Sequence, residues 1–265
     1  MPLTQIQKKI AQLISKNRSE ESHLAGGAAM HISENSLRYS QDLDYFHDSQ
    51  ALVNQAADID VVLLKKSKFK VDIKINRPGF VQSIVSQDDK FTKIEWTQDS
   101  MWRFYPVQKH TDSGFQLHQI DLATNKVLAL AGRHEVRDWI DTIYIHQHIL
   151  PLGALCWAAV GKDPGFTPGS LFELIKRKGR FQEEEINKLH LKKRPHIQSL
   201  KTTWLLAIAQ AQVWIDSRPI DESGCIYETI QEREAFAPEA THQKNVDYTL
   251  RLGSMGGSAI PQFSE

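Results

Sequence analysis

Two aspartates, Asp42 and Asp44, lie two residues apart in the segment DLDYF. The leucine, tyrosine and phenylalanine of this segment favour extended, half-buried backbone, which predicts a β-strand. Side chains two residues apart project from the same face of a strand. Two neighbouring carboxylates repel each other unless a cation lies between them, and Mg²⁺ prefers one or two carboxylates together with the phosphates of a substrate. The spacing therefore predicts a magnesium-binding pair.

A glycine pair, Gly26 and Gly27, precedes the aspartates and opens a short helical turn. Glycine lets the backbone turn sharply and approach a ligand closely, and the free N–H groups at the start of a helix attract an anion. Either feature alone is commonly a turn or a solvated loop. In this order they predict a phosphate cradle followed by a metal clamp, with Ser40 as an additional nucleotide contact.

The stretch GGAAMHISENSLRYSQDLDYF, residues 26–46, resembles the first motif of the AbiEii/AbiGii toxin-type nucleotidyltransferases, which belong to the polymerase-β-like superfamily. One departure is Ala28, where the family usually has Thr or Ser. Alanine has no hydroxyl with which to contact a phosphate at this position.

The stretch DLATNKVLALAGRHEVRDWIDTIYI, residues 121–145, resembles the second motif region of the same family. The residues that fall on motif positions are Lys126, Arg133, Arg137, Asp138 and Asp141. The residues alone also fit a surface helix, kinked at Gly132, in which Arg137 and Asp141 form an ordinary i,i+4 ion pair. The two motifs occur in the family's order, and the resemblance covers residues 22–150.

The resemblance implies an enzyme that moves a nucleoside monophosphate from an NTP to an acceptor, such as the 3′ end of a tRNA. It also implies two Mg²⁺ ions, held by Asp42, Asp44 and a third carboxylate on a neighbouring strand. Asp72, in the alternating segment KFKVDIKI, is the candidate for that third ligand, and it would also activate the acceptor hydroxyl. Lys126 and Arg137 would neutralise phosphate charge, and Asp138 is marked as essential without a defined role.

Family members are toxins of two-gene systems, so the resemblance further implies a cognate antitoxin. Two other interpretations stay open. The chain could be a catalytically inactive regulator that binds a nucleotide or RNA on the same fold, or an inhibitor that acts through a basic surface.

The composition indicates a soluble globular protein, with 41% hydrophobic and 24% charged residues among 265. The chain has no apolar run of the ~18 residues that a membrane span needs, and its N-terminus lacks the apolar core of a signal peptide. Cys156 and Cys225 have neither disulfide nor metal spacing and are predicted to be buried thiols. We therefore expect a cytoplasmic protein without a membrane contact.

Alternating segments predict strands at residues 42–46, 68–75, 80–87, 90–98 and 102–108. Together with the predicted helices they indicate an α/β (α+β) fold. It consists of a nucleotidyltransferase core with a mixed sheet over residues 1–120, and a mainly helical region over 121–265 that completes the active site and contacts the acceptor. Residues 201–217 are predicted to form a central packing helix and residues 251–265 a loose tail. Asp58 and Asp60 are predicted to be solvated.

One dense basic cluster stands out in a chain with zero net charge. Such clusters are usually solvated faces, but a local basic patch is also what an RNA backbone requires. The candidate RNA contacts are Lys176, Arg177, Lys178, Lys192, Lys193 and Arg194.

Overall fold

The computed structural model describes residues 3–31, 38–192, 194–239 and 247–257. Within these ranges no helix combines the length and the apolar character that crossing a membrane would need. Both cysteines are free and buried, as predicted.

The strands are numbered in chain order and form three sheets. The main sheet has seven strands in the order β3-β4-β5-β2-β1-β8-β7, a second has the order β10-β9-β11, and β12 pairs with β6. The strands are β1 (Ser22–Ala25), β2 (Asp42–His47), β3 (Lys70–Arg77), β4 (Phe80–Gln87), β5 (Lys90–Gln98), β6 (Trp102–Arg103), β7 (Gln108–His110), β8 (Gly114–Gln116), β9 (Cys225–Thr229), β10 (Ala235–Phe236), β11 (Tyr248–Leu252) and β12 (Ser254–Met255).

Nine helices are present in the described ranges, and most of them follow the main sheet in the chain. They are α1 (Gln5–Ile14), α2 (Gly26–Met30), α3 (Gln50–Lys66), α4 (Gln119–Gly132), α5 (Val136–His148), α6 (Leu152–Ala159), α7 (Pro168–Lys176), α8 (Glu183–Asn187) and α9 (Ile197–Asp216). The mixed α/β fold expected from the sequence is confirmed.

Strand β2 lies at the centre of the main sheet, antiparallel to β1 and parallel to β5. Its residues alternate: Leu43, Tyr45 and His47 are fully buried, while Asp42 and Asp44 occupy the other face. Helix α3 packs against β2, β4 and β5. The sheet therefore has a covered apolar face and a polar face that is free for other contacts.

The helix predicted to begin near Asp121 and to break or kink at Gly132 is divided into α4, which ends at Gly132, and α5. Helix α4 ends where Arg133 adopts an extended conformation with φ −140° and ψ 166°. Arg133 therefore does not continue the stripe that one unbroken helix would have placed together with Lys126 and Arg137. Its side chain reaches across the break to Asp138, with Nε 2.6 Å from Oδ2.

The C-terminal region departs from the sequence prediction in three places. Residues 225–252 contain a three-stranded sheet instead of helices. The predicted loose tail is ordered over its first part, because Arg251 and Leu252 belong to β11 and Ser254–Met255 pairs with Trp102–Arg103; residues 258–265 lie outside the described ranges. The predicted strand 102–108 is reduced to Trp102–Arg103 and the beginning of β7.

Helix α9 lies at the surface and not at the centre, since only one of its faces is buried. Leu205, Leu206 and Val213 are exposed on the other face. The proposed boundary between residues 120 and 121 falls after the second residue of α4, and the division into two regions stays a prediction.

Asp60 corrects another expectation, because it is fully buried while Asp58 is exposed. Oδ2 of Asp60 is 2.6 Å from Nη2 of Arg18, whose side chain is equally buried, and it also accepts a hydrogen bond of 2.8 Å from the indole of Trp96. The ion pair connects α3 to the segment that precedes β1, which the sequence pattern of α3 alone does not reveal.

We expect Asp60→Ala to lower the free energy of unfolding by about 3–5 kcal/mol, because it leaves the Arg18 charge buried without its partner. Asp58→Ala is the matched control on the same helix and should change stability by less than about 0.5 kcal/mol. Denaturant unfolding of both variants measures the difference. Equal effects would contradict the assigned ion pair.

Candidate active site

A cavity of about 440 Å³ lies between the polar face of the main sheet and helix α4. Strands β2 and β5 form one wall and contribute acidic side chains, and α4 with the start of α5 forms a largely basic wall. The lining residues are Gly26, Gly27, Arg38, Ser40, Gln41, Asp42, Asp44, Phe46, Phe80, Lys93, Glu95, Thr97, Leu122, Asn125, Lys126, Ala129, Arg133 and Arg137.

The acidic wall consists of Asp42, Asp44 and Glu95. Asp44 is directly paired with Glu95 across β2 and β5, so their side chains leave the same face of the sheet. Burial, followed by the charges of Glu95 and Asp42, raises the pKa of Asp44 to about 6. Burial and the neighbouring carboxylates thus both disfavour the charged form of Asp44, and a bound cation would favour it.

Gly26 makes room for the Asp44 carboxylate. Its φ of +59° lies in the left-handed region, and a Cβ atom built on it would be 2.0 Å from Oδ2 of Asp44. Any other residue would therefore combine backbone strain with a clash. A Cβ on Gly27 would be 3.0 Å from Nη2 of Arg38 and 3.2 Å from Oγ of Ser40. The glycine pair thus brings backbone close to both walls, and Ala28 is buried in the core outside the cavity.

The basic wall is held by two buried carboxylates, Asp138 and Asp141. Nζ of Lys126 lies 2.9 Å from Oδ1 of Asp138 and 3.0 Å from Oδ2 of Asp141. Arg133 contacts Asp138 through Nε and Nη2, and Arg38 contacts Asp141 through Nε and Nη2, each at 2.7 Å. Asp138 and Asp141 do not line the cavity. Instead, they position Lys126, Arg133 and Arg38, which do line the cavity.

The protonation of these two carboxylates follows from their partners. Burial opposes the charged form of Asp138, but hydrogen bonds and ion pairs with Arg133 and Lys126 lower its pKa. Burial likewise opposes charge on Asp141, and Lys126, Arg38 and His31 outweigh it and hold its pKa well below the usual value. Both groups are therefore anionic at neutral pH, and three cations on two anions leave the basic wall with an excess positive charge.

Two further cations contact the acidic wall. Nζ of Lys93 lies 3.1 Å from Oδ2 of Asp42 and 2.7 Å from Oε1 of Glu95. Nη1 of Arg137 lies 3.7 Å from Oδ2 of Asp42. The i,i+4 pair between Arg137 and Asp141 expected for a surface helix is therefore wrong, because Asp141 is buried in the network behind Lys126.

The expectation that Asp72 lies on the strand beside Asp42 and Asp44 is wrong. It lies on edge strand β3, and the Cα register runs from Asp72 to Ile84, then to Lys93, then to Asp42. Three strand spacings of about 4.8 Å place Asp72 about 14 Å from Asp42. The Asp72 side chain is half-exposed and pairs with Lys74. The carboxylate that does lie on the strand beside β2 is that of Glu95 on β5.

Sequence reasoning missed Glu95, Lys93 and Arg38. For the first two a signal existed, because KFTKIEWTQ alternates in the same way as DLDYF and places Lys93, Glu95 and Thr97 on one face. The remaining predicted residues Asp42, Asp44, Gly26, Gly27, Ser40, Lys126 and Arg137 all line the cavity.

The basic cluster adjoins the cavity at two points. Nζ of Lys178 donates a 3.1 Å hydrogen bond to the carbonyl oxygen of Arg133. On the other side, the backbone of Tyr39 donates to the carbonyl of His190, and Arg38 forms a β-bridge with Leu191, directly before Lys192. Lys176 instead pairs with Glu173, Arg177 and Arg194 do not line the cavity, and Lys193 lies outside the described residues.

Solved structures of other proteins have a similar architecture. The structure resembles MenT4, a nucleotidyltransferase toxin from Mycobacterium tuberculosis H37Rv, with a TM-score of 0.55 and 14% sequence identity over 78% of this chain and 82% of that chain. The fold is that of a nucleotidyltransferase. JHP933 from Helicobacter pylori aligns with a TM-score of 0.49 and 14% identity over 80% of this chain and 91% of that chain. No protein-family model and no curated protein sequence matches the chain.

At the level of the fold, the nucleotidyltransferase resemblance read from the two motifs is confirmed. The donor set in the cavity also fits a divalent cation at Asp42 and Asp44, because both side chains are carboxylates and that of Asp44 has no hydrogen-bond or ion-pair partner among the described residues. As the side chains are arranged, no group of three or more His, Cys, Asp and Glu residues in the described ranges encloses a metal position.

Asp44→Asn tests whether burial and the neighbouring carboxylates make a charge on Asp44 unfavourable in the folded chain. Because the folded-state pKa of Asp44 is raised from 3.8 to about 6, the folded chain holds this proton more tightly than the unfolded chain, and stability falls as pH rises from about 4 to 6. In metal-free buffer at pH 8 we expect Asp44→Asn to raise the melting temperature, and the difference from wild type to disappear near pH 4.

Mg²⁺ should raise the melting temperature of the wild type at pH 8 and have little effect on Asp44→Asn, because binding to the folded state alone is stabilising. Thermal unfolding with and without Mg²⁺ measures both effects. A variant that is less stable than wild type at pH 8, and is still stabilised by Mg²⁺, would contradict the assignment.

Proposed function

We propose that the chain is a metal-dependent nucleotidyltransferase that moves a nucleoside monophosphate from an NTP to an acceptor hydroxyl. The observation that carries this proposal is the pairing of an acidic wall with a basic wall across one cavity. A triphosphate with a divalent cation has both signs of charge and matches the two walls together. A simple anion would need only the basic wall.

Each wall has a separate role. Asp42 and Asp44 would hold the cation, which when bound neutralises charge on the phosphates. Lys126, Arg133 and Arg38 would bind the phosphate oxygens, while the backbone at Gly26 and Gly27 and the hydroxyl of Ser40 approach from the side. Asp138 and Asp141 hold these lysine and arginine side chains in place before the substrate arrives, so little reorganisation is needed as negative charge develops on the phosphates. This gives Asp138, assigned to catalysis from the sequence, a positioning role.

Glu95 is the group best placed to accept the proton of the acceptor hydroxyl. Its Oε1 atom is bound by Lys93 and Gln82, whereas Oε2 makes no hydrogen bond within the described residues. The acceptor oxygen would form a bond to the α-phosphorus as the bond from that phosphorus to the bridging oxygen breaks. Pyrophosphate leaves with the bonding electrons, and the proton passes to Oε2 of Glu95.

One end of the cavity suits a nucleobase. Phe46 and Phe80 line it on the sheet side and Leu122 on the helix side, and aromatic rings are common stacking surfaces for bases. Asn125 also lines the cavity, and Lys162 fixes its orientation by donating to Oδ1 at 2.8 Å. Lysine only donates, so Oδ1 must face it, and the two N–H donors of Asn125 are available to a base or ribose.

RNA is the acceptor that we propose, because the basic cluster adjoins the cavity at Arg38 and Arg133. Lys178 and Lys192 lie at these two points, so a backbone bound there would bring its end toward the acidic wall. The likeness to the toxin MenT4 supports a toxin role with a cognate antitoxin. An inactive regulator on the same fold is the alternative, and the joint presence of Asp42, Asp44 and Glu95 at the cavity favours the enzyme.

Transfer of label from α-³²P-NTPs, supplied one base at a time with Mg²⁺, tests the proposed activity. Total RNA and total protein serve as acceptors, and the wild type is compared with Asp42→Asn. We expect label on RNA that is lost in the variant. Nucleotide binding without transfer from any NTP would support the regulator, and label that survives in Asp42→Asn would contradict the assigned site.

Glu95→Gln and Asp72→Asn form a matched pair for the third carboxylate. Each removes one charge with little change in shape, but only Glu95 lines the cavity. We expect Glu95→Gln to lower the transfer rate by at least about 100-fold, in the range that loss of a group acting on the transition state produces, and Asp72→Asn to keep it within about twofold. If Asp72→Asn lowered the transfer rate more than Glu95→Gln, Asp72 and not Glu95 would be the third carboxylate of the site.

A further inference from the structure

The ammonium group of Lys93 is part of the acidic wall. Its Nζ atom contacts Oδ2 of Asp42 and Oε1 of Glu95 at 3.1 Å and 2.7 Å. The Cα atom of Lys93 is paired with that of Asp42, and Glu95 is two residues along the same strand. The backbone register thus places all three side chains on one face of the sheet, and the contact is set by the strands instead of by a flexible loop.

Lys93 occupies the place where a second cation would be coordinated. Asp42 and Glu95 are the two carboxylates that a cation next to the acceptor hydroxyl would share, and the ammonium already contacts one oxygen of each. Arg137 adds further positive charge 3.7 Å from the same Oδ2 atom of Asp42. Like charges repel at these separations, so a divalent cation at this position would have to displace Lys93.

Asp44 is in a different situation. Its carboxylate makes no ion pair or hydrogen bond with any described residue and lies against the glycine at position 26. A cation that arrives with the phosphates of a nucleotide can therefore bind Asp44 without displacing a lysine or arginine from it.

We propose that Lys93 takes the place of one of the two divalent cations, so that the chain binds a single Mg²⁺ ion per nucleotide. This inference deepens the proposed function and rests on it for the presence of a cation. It replaces the two ions that the family resemblance implies. In this arrangement the lysine keeps Asp42 and Glu95 close together and supplies a fixed positive charge beside the acceptor hydroxyl.

Native mass spectrometry of the full chain with Mn²⁺ and a non-hydrolysable α,β-methylene NTP tests the inference, because it counts ions and nucleotides on each chain. We expect one Mn²⁺ per nucleotide-bound wild-type chain and two in Lys93→Met. Lys93→Arg keeps the positive charge and should bind one. Lys90→Met changes an exposed lysine on the same strand, outside the cavity, and should also bind one.

Two Mn²⁺ ions per nucleotide-bound wild-type chain would overturn the inference. A single ion per nucleotide-bound Lys93→Met chain would also overturn it. If Lys93→Met does not fold, Lys93→Gln provides the second neutral variant. Nucleotide bound without Mn²⁺ would overturn the inference and leave nucleotide binding intact. Neither nucleotide nor Mn²⁺ on any variant would refute the proposed function as well, so the two failures are distinguishable.

Discussion

The site depends on two buried carboxylates, Asp138 and Asp141, that do not line the cavity. Asp138 and Asp141 are fully buried, and burying such charges is costly unless close partners compensate each one. Lys126, Arg133 and Arg38 supply that compensation from α4, from the break before α5, and from the segment preceding β2. The same contacts that make the two anions tolerable thus hold three cations against the cavity, and they tie the helical region to the strand that carries Asp42.

The opposite wall is built on a different principle. Asp42, Asp44 and Glu95 gather negative charge, and burial together with the charges of Glu95 and Asp42 raises the pKa of Asp44. Such repulsion lowers the stability of the chain without ligand and becomes useful only when a cation binds. Lys93 moderates it at one end by pairing with Asp42 and Glu95, whereas the charges of Lys126 and Lys93 offset only part of the cost of charging Asp44. The asymmetry between the two ends of this wall is what distinguishes the site from a simple cluster of three acids.

Local patterns in the sequence predicted the elements whose chemistry lies within one segment. The period of two in DLDYF placed Asp42 and Asp44 on one face, and the position of Gly26 before them predicted a close backbone approach. The order of strands could not be predicted in this way, because alternation shows which face a residue occupies but not which strand is its neighbour. Asp72 and Glu95 alternate equally well, and only the sheet order separates them.

Long-range partners were equally hidden. The pairing of Asp60 with Arg18 and of Asp141 with Arg38 joins residues far apart in the chain. Gly132 predicted an interruption of the helix over residues 121–145, but not that Arg133 beyond it would contact Asp138. A crystal structure with Mg²⁺ and a non-hydrolysable NTP analogue would show whether this cavity binds the nucleotide and its cation. We expect the cation on Asp42 and Asp44 and the phosphates against Lys126 and Arg133. A nucleotide bound elsewhere, with this cavity free of phosphate, would contradict this expectation.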